Sequence, residues 1–279
     1  MKLNKEFCFI CKDTKPTSLI YDKNSMRIIR CNQCGTMFRP REDHRGITPD
    51  NNTSEYYAEN LRCALGNTLF FRLTFENLIR RFPDIKNGNL LDFGCGIGNA
   101  LLEAKKLGFN VLGTELSRVA IDNCRKLGLE VSMSIDDAAH RQTRFDLINL
   151  HHVLEHISEP IGFLGKLKEL LKEDGILRIE APNCGKIFLW KLFTGNKYIA
   201  AKPSPDHIYY FSIKALKNIL LKADLEIIDI HTEGFGDDIR HKATIQNPNI
   251  LIRILSKFLR LTAIEKILGL ENFLVVIAK

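Results

Sequence analysis

Asn89-Leu90-Leu91-Asp92-Phe93-Gly94-Cys95-Gly96-Ile97-Gly98-Asn99 is the stretch that decides how the chain is read. A short apolar run (Asn89–Phe93) leads straight into three alternating glycines, and a helical pattern follows over 98–107. Glycine is needed where backbone turns sharply and a ligand must come close. A helix that opens there adds unpaired N–H groups and the positive end of its dipole. Seventeen residues beyond Gly98, at the end of the next strand, stands Glu115. In nucleotide-binding α/β folds an acid at that point accepts hydrogen bonds from a ribose diol. A dinucleotide fingerprint would need glycine or alanine at 99, where this chain has Asn.

Outward from this loop, strand and helix patterns alternate. A helical spacing over 56–82 ends at Pro83. Strands are expected at 110–114, 129–132, 145–150, 175–180, 225–230 and 272–278, and helices at 119–127, 161–171 and 213–222. Strict alternation means parallel β-α-β units, hence an open, doubly wound α/β sheet covered by helices. A long connection precedes the last strand, so periodicity leaves its direction open.

The spacing Asp-x-Gly-x-Gly-x-Gly at 92–98 resembles motif I of class I S-adenosylmethionine (SAM)-dependent methyltransferases. Phe145-Asp146-Leu147-Ile148 followed by His152-Val153-Leu154-Glu155-His156 resembles the fourth strand and post-strand motif of the group that contains the ubiquinone-pathway O-methyltransferases. Residues 175–183 (GILRIEAPN) resemble that group's fifth strand, 206–212 (DHIYYFS) its segment before the next helix, and 272–279 its closing antiparallel strand. The resemblance covers about 56–279. It implies a seven-stranded, mostly parallel, Rossmann-like methyltransferase sheet with SAM as cofactor. The cofactor-facing positions would be Asp92, Gly94, Cys95, Gly96, Gly98, Glu115, Leu116, Asp136 and His151. It says little about the methyl acceptor, because one fold carries many substrates.

His151, His152, Glu155 and His156 follow an apolar strand at its carboxyl end, where open α/β sheets place ligands. On one helical turn 152, 155 and 156 would share a face, and His207 could join from another loop. A similar Glu-x-x-Glu-His with a distant His holds a divalent metal in small-RNA 2′-O-methyltransferases and some ubiquinone-pathway enzymes. Here the first position is His152, which shifts any such second metal toward a nitrogen-tolerant ion. Three roles stand open for His152, Glu155, His156 and His207: metal ligands, a metal-free general base, or a structural brace. The match of 152–156 to the inverted zinc-protease signature lacks a protease context.

Cys8-x-x-Cys11 and Cys31-x-x-Cys34 have the spacing of a four-cysteine structural zinc site. A redox pair is the alternative, without a thioredoxin-like pattern around either knuckle. Forty residues cannot build an adequate apolar core alone, so a metal would substitute for one. The expected organisation is a zinc ribbon at 1–40, a polar linker at 41–55 and a methyltransferase domain at 56–279. Within that domain, a basic amphipathic helical insertion is expected at about 250–270. Its stretch 250–264 could meet a membrane or lipid-linked substrate, or pack on its own domain.

The 279 residues carry 26% charged and 45% hydrophobic side chains, ordinary globular values, and a net charge of +7. That charge is spread along the chain, which argues against a nucleic-acid arm. No apolar run is long enough to span a membrane and no apolar leader follows Met1, so a cytoplasmic location is expected. The function expected is SAM-dependent methyl transfer to a hydroxyl of a small-molecule or glycan acceptor. The alternatives are an RNA-modifying methyltransferase and a SAM-binding protein without turnover.

Overall fold

A computed structural model describes residues 4–23, 26–40, 64–136, 143–184, 204, 206–233 and 273–279. The linker expected at 41–55, the beginning of the helix expected from 56, and the amphipathic stretch within 250–270 lie outside the described residues.

In chain order, four strands come first: β1 (Asn4–Cys8), β2 (Asp13–Lys23), β3 (Met26–Cys31) and β4 (Met37–Phe38). Helix α1 (Ala64–Arg81) leads to β5 (Asn89–Phe93), α2 (Asn99–Lys106), β6 (Asn110–Thr114), α3 (Arg118–Lys126) and β7 (Val131–Ser132). Then follow β8 (Phe145–His151), α4 (Pro160–Leu170), β9 (Leu171–Pro182), β10 (Tyr209–Tyr210), α5 (Ile213–Lys222), β11 (Ile227–Glu233) and β12 (Phe273–Ala278).

Seven strands form one sheet in the order β7-β6-β5-β8-β9-β12-β11. β5, β6, β7, β8 and β9 run parallel, and β12 lies antiparallel to both β9 and β11. The chain order is that of a doubly wound sheet closed by a reversed strand, as the resemblance implies. The central strands are apolar because helices cover both faces: Leu90, Leu91, Leu147, Ile148 and Leu150 are fully buried. Helix α5 shows the amphipathic logic of the covering layer. Ala215, Leu216, Ile219 and Leu220 are buried on one face, and the Ser212 side chain caps the first turn by accepting from Ala215 N at 3.1 Å.

The first four strands build a second, antiparallel sheet, but its order is β1-β2-β3-β4-β10. Its fifth strand therefore comes from beyond the seven-stranded sheet's β9, through the pairs Tyr209↔Phe38 and Tyr210↔Met37. Cys8, Phe9, Ile10, Ile29 and Phe38 share one apolar core with Tyr209, Phe211, Leu216 and Ile219. Lys222 Nζ also donates to the Ile10 carbonyl at 2.6 Å. The expectation that the first forty residues lack an apolar core of their own is thus answered in an unexpected way: much of that core is borrowed from the larger sheet's side.

Candidate active site and metal centre

The glycine loop leaves β5 at the carboxyl edge of the sheet. Gly94 N and Cys95 N both donate to the Thr114 carbonyl at 2.9 Å, which ties the loop to the end of β6. Gly96 has φ +53° and nothing within 4 Å of where a Cβ would stand, so open space lies against its backbone. Gly98, with φ +90°, is different: a Cβ there would meet Leu129 Cδ1 at 2.7 Å and Cys124 Sγ at 2.9 Å. Glu115 Oε2 accepts from Gly96 N at 2.9 Å, and Oε1 accepts from Leu116 N at 2.8 Å and Ser117 N at 2.9 Å. The acid and the loop expected to share a nucleotide are thus in direct contact. Leu116 is largely exposed beside them. Cys95 is buried with its sulfur packed near Gly113. Asp136 is exposed and donates its N–H to Ser134 Oγ at 3.0 Å.

Asp92 points into the sheet. Its Oδ1 accepts from Asn149 Nδ2 at 2.7 Å, and Asn149 Oδ1 accepts from Arg178 Nη1 at 3.0 Å. Arg178 Nη2 in turn donates to Glu180 Oε2. All four side chains are buried. Burial pushes the Asp92 carboxyl up to about 7, against the pull of Asn149 and Arg178. Burial also opposes ionisation of Glu180, but His151, Arg178 and His152 outweigh it and hold this carboxyl well below its usual range. Glu180 lies 3.4 Å from His151 Nδ1 and 3.6 Å from His152 Nε2. The His151 ring packs at 5.5 Å from Phe70 and 5.0 Å from Phe71, both on α1.

Asn149, Arg178 and Glu180 were not among the sequence-expected site residues. A usable signal existed for two of them. Arg178 and Glu180 alternate with Leu177, Ile179 and Ala181 in a strand that is otherwise apolar. Charges inside a fully covered strand need partners, and so mark a network.

The histidine cluster does not sit on one helical face as expected. His152 has φ +56°, a left-handed conformation, and residues 154–156 form a single 3₁₀ turn. The expected α-helical spacing fails because the chain reverses at His152 before any helix begins. Glu155, fully buried, places Oε1 at 3.2 Å from His152 Nδ1 and 4.0 Å from His207 Nε2. Its Oε2 is buried without a hydrogen-bond partner among the described residues. Burial would raise the Glu155 carboxyl, but His152, His207 and His156 bring it below its ordinary value. His207 does join the cluster. Its ring lies 4.8 Å from that of His156, and burial holds it down at about 4.

His156 Nδ1 lies 3.0 Å from the Asp206 carbonyl. A carbonyl only accepts, so Nδ1 carries the proton and donates, and in the neutral ring Nε2 keeps its lone pair. His152 is placed otherwise: both its nitrogens face buried carboxylates.

Among the described residues, three groups have ligand atoms mutually within 4.8 Å: Cys8, Cys11, Cys31 and Cys34; Glu155, His156 and His207; and His151, His152 and Glu180. In the third, the buried Arg178 guanidinium already bonds Glu180 Oε2 and brings a positive charge beside it, which leaves the second as the better cation set. In the cysteine group, Cys8 and Cys34 sulfurs are 3.7 Å apart and those of Cys11 and Cys31 3.8 Å. A tetrahedron with Zn–S bonds of about 2.3 Å has edges of roughly 3.8 Å, which these two pairs match, and all four sulfurs lie within 4.8 Å of one another. Without a metal, the hydrogen bond between Cys8 and Cys34 draws the Cys34 thiol down and pushes that of Cys8 up, so the two share a proton; a metal would take both as thiolates.

The sheet order, the reversed β12 and the glycine loop braced by Glu115 define the SAM-dependent methyltransferase class. A family model described as a methyltransferase domain matches residues 60–230, and the chain belongs to this family. Among relatives, the ubiquinone biosynthesis O-methyltransferase of Actinobacillus pleuropneumoniae serotype 7 is 37% identical over 107 residues, 34% of this chain and 45% of that one. That of Bartonella quintana is 26% identical over 188 residues, 62% of this chain and 70% of that one. The chain thus spans just under half of the first relative. The plantazolicin methyltransferase BamL, solved with a desmethyl analogue and S-adenosylhomocysteine, superposes with a TM-score of 0.52 at 16% identity, covering 81% of this chain and 88% of that one. The Burkholderia thailandensis 1,6-didemethyltoxoflavin-N1-methyltransferase gives 0.52 at 12% identity, covering 94% and 98%. These two likenesses speak for the fold alone.

Glu115 braces the glycine loop, and it is also the acid expected from the sequence to meet a ribose. Glu115→Ala is expected to weaken SAM binding by about 1–3 kcal/mol, measured by calorimetry. Unchanged affinity would remove Glu115 from the cofactor site.

Proposed function

We propose that the protein methylates a hydroxyl of a small-molecule or glycan acceptor, with His156 as general base. The observation that carries this reading is the fixed tautomer of His156, whose Nδ1–H is spent on the Asp206 carbonyl. SAM, when bound, supplies a sulfonium methyl that is already a strong electrophile. The chain's part is to hold an acceptor oxygen in line and take one proton. His156 Nε2 accepts that proton, and the buried Glu155 carboxylate offsets the charge the ring acquires. Asp92, Gly94, Cys95, Gly96, Gly98, Glu115, Leu116, Asp136 and His151 serve the cofactor side, while His152 and His207 shape the acceptor side. The likeness to ubiquinone biosynthesis O-methyltransferases supports oxygen as the methylated atom. The test is to incubate metabolite extract with the enzyme and methyl-labelled SAM, then identify what gains label. Labelling confined to RNase-sensitive material would replace the small acceptor with RNA, and no labelled product would leave a SAM binder.

A second reading is favoured by the unused, buried Glu155 Oε2. Glu155, His156 and His207 would then hold a divalent cation that lowers the acceptor hydroxyl pKa. Loss of turnover on removing a divalent ion while the cysteine site stays loaded, with recovery on adding the ion back, would select it.

The same reading assigns Cys8, Cys11, Cys31 and Cys34 one structural zinc. Elemental analysis is expected to give about one zinc per chain, lost in a protein carrying both Cys31→Ser and Cys34→Ser. Full stoichiometry in that variant would move the metal to the histidine cluster.

A further inference from the structure

A four-thiolate site has no open coordination position and performs no chemistry itself. Its hydrogen bonds nevertheless lead somewhere specific. Cys31 N donates to the Thr36 carbonyl and Gly35 N to the Cys31 carbonyl, both at 2.9 Å, and Cys34 Sγ contacts Thr36 Oγ1 at 3.2 Å. Met37 and Phe38 follow at once as β4 and pair with Tyr210 and Tyr209. Arg39 N donates to the Ile208 carbonyl at 2.9 Å, and Ile208 N donates to the Glu155 carbonyl at 2.9 Å. The neighbour of Ile208 is His207. Tyr209 Oη also donates to the Ser158 carbonyl at 2.9 Å, just past the turn that carries Glu155 and His156. One ladder thus joins the second cysteine knuckle to three members of the candidate acceptor site.

Both β4 and β10 are only two residues long. A pair that short contributes little holding power of its own, so its register depends on what fixes either side. On one side that is the knuckle. The module also faces inward: Cys8, Cys31 and Cys34 are buried, and Lys222 and Lys214 donate to the carbonyls of Ile10 and Gln33 at 2.6 and 3.4 Å.

We propose that the cysteine knuckles are a positioning element of the acceptor site: through β4, β10 and Ile208 they hold His207 and the turn bearing Glu155 and His156. This rests on the acceptor-side reading of those residues. The geometry suits a brace better than a gripping surface, because the knuckles turn toward the core.

The test uses the full chain, with zinc content measured, before and after chelation and as Cys34→Ser. Hydrogen–deuterium exchange is read on peptides covering 206–211 and 153–158, and on glycine-loop peptides covering 89–99 and 110–117. Zinc loss is expected to speed exchange in the first pair by about tenfold or more and leave the second pair within about twofold. SAM affinity by calorimetry should stay within about twofold as well, and restored zinc should restore protection. Should Cys34→Ser fail to fold, Lys222→Ala removes the bond to Ile10 without touching a cysteine, and should loosen the same peptides in part. The proposal is overturned if zinc leaves with 206–211 unchanged, if exchange rises equally in both pairs, or if the protein neither contains nor takes up zinc. Failure of the base assignment would register separately, as full turnover by His156→Ala with the exchange pattern intact.

Discussion

A His156→Ala enzyme is expected to turn over about 10²–10⁴ times more slowly on its acceptor, a barrier increase of roughly 3–5 kcal/mol. SAM affinity should remain at the wild-type value. The asymmetry follows from timing: the proton is drawn away mainly in the transition state, whereas SAM is expected to bind through the adjacent glycine loop, which His156 does not build. The ring is also poorly replaced by its neighbours. His152 has both nitrogens turned to buried carboxylates, and His207 is held down at about 4 by burial, which makes it a weak base. Single-turnover transfer of labelled methyl, with calorimetry for SAM, separates the two effects. Full turnover on the true acceptor would reduce the cluster to a structural support.

The second large effect is expected at the glycine loop, where two neighbouring glycines should fail differently. Gly96→Val meets open space, so its side chain would stand where a ligand must approach. It should lose about a hundredfold or more in SAM affinity, about 3 kcal/mol. The left-handed φ adds an intrinsic penalty of about 1–2 kcal/mol to stability. Gly98→Val instead drives into Leu129 and Cys124, and should unfold the Rossmann-like half before binding can be measured. Thermal melting beside calorimetry checks both. A Gly96→Val protein that binds SAM normally would place the cofactor elsewhere.

The parts of this structure that could be read from the sequence are those in which local pattern and tertiary surroundings agree. The run from β5 through the glycines into α2 is one example, and α5 lies where its apolar spacing put it, at Ile213–Lys222. The direction of β12 came from resemblance alone, because six apolar residues in a row pack equally well either way. What stayed hidden had non-local causes. Arg178 and Glu180 are tolerated because Asn149 and His151 of β8, and His152 just past it, reach them from about thirty residues earlier. His152 broke the helical reading because nothing in its neighbours announces a positive φ. A two-residue strand such as β10 leaves no periodic trace at all. The masking of an incomplete apolar core by borrowed side chains is likewise a property of the folded whole.

The pairing of β4 with β10 has a consequence for how the chain is made. Phe38 leaves the ribosome about 170 residues ahead of its partner Tyr209. At about 5–20 residues per second the antiparallel sheet waits roughly ten to thirty seconds for its last strand. During that interval the edge of β4 and the apolar side chains around Ile10 and Phe38 have no cover from Tyr209, Phe211 or Leu216. Contacts of such long sequence separation are the slow ones to form. The sheet begun first is therefore left open while five strands of its neighbour are laid down, and it closes only when β10 emerges, with β11 and β12 still to be made.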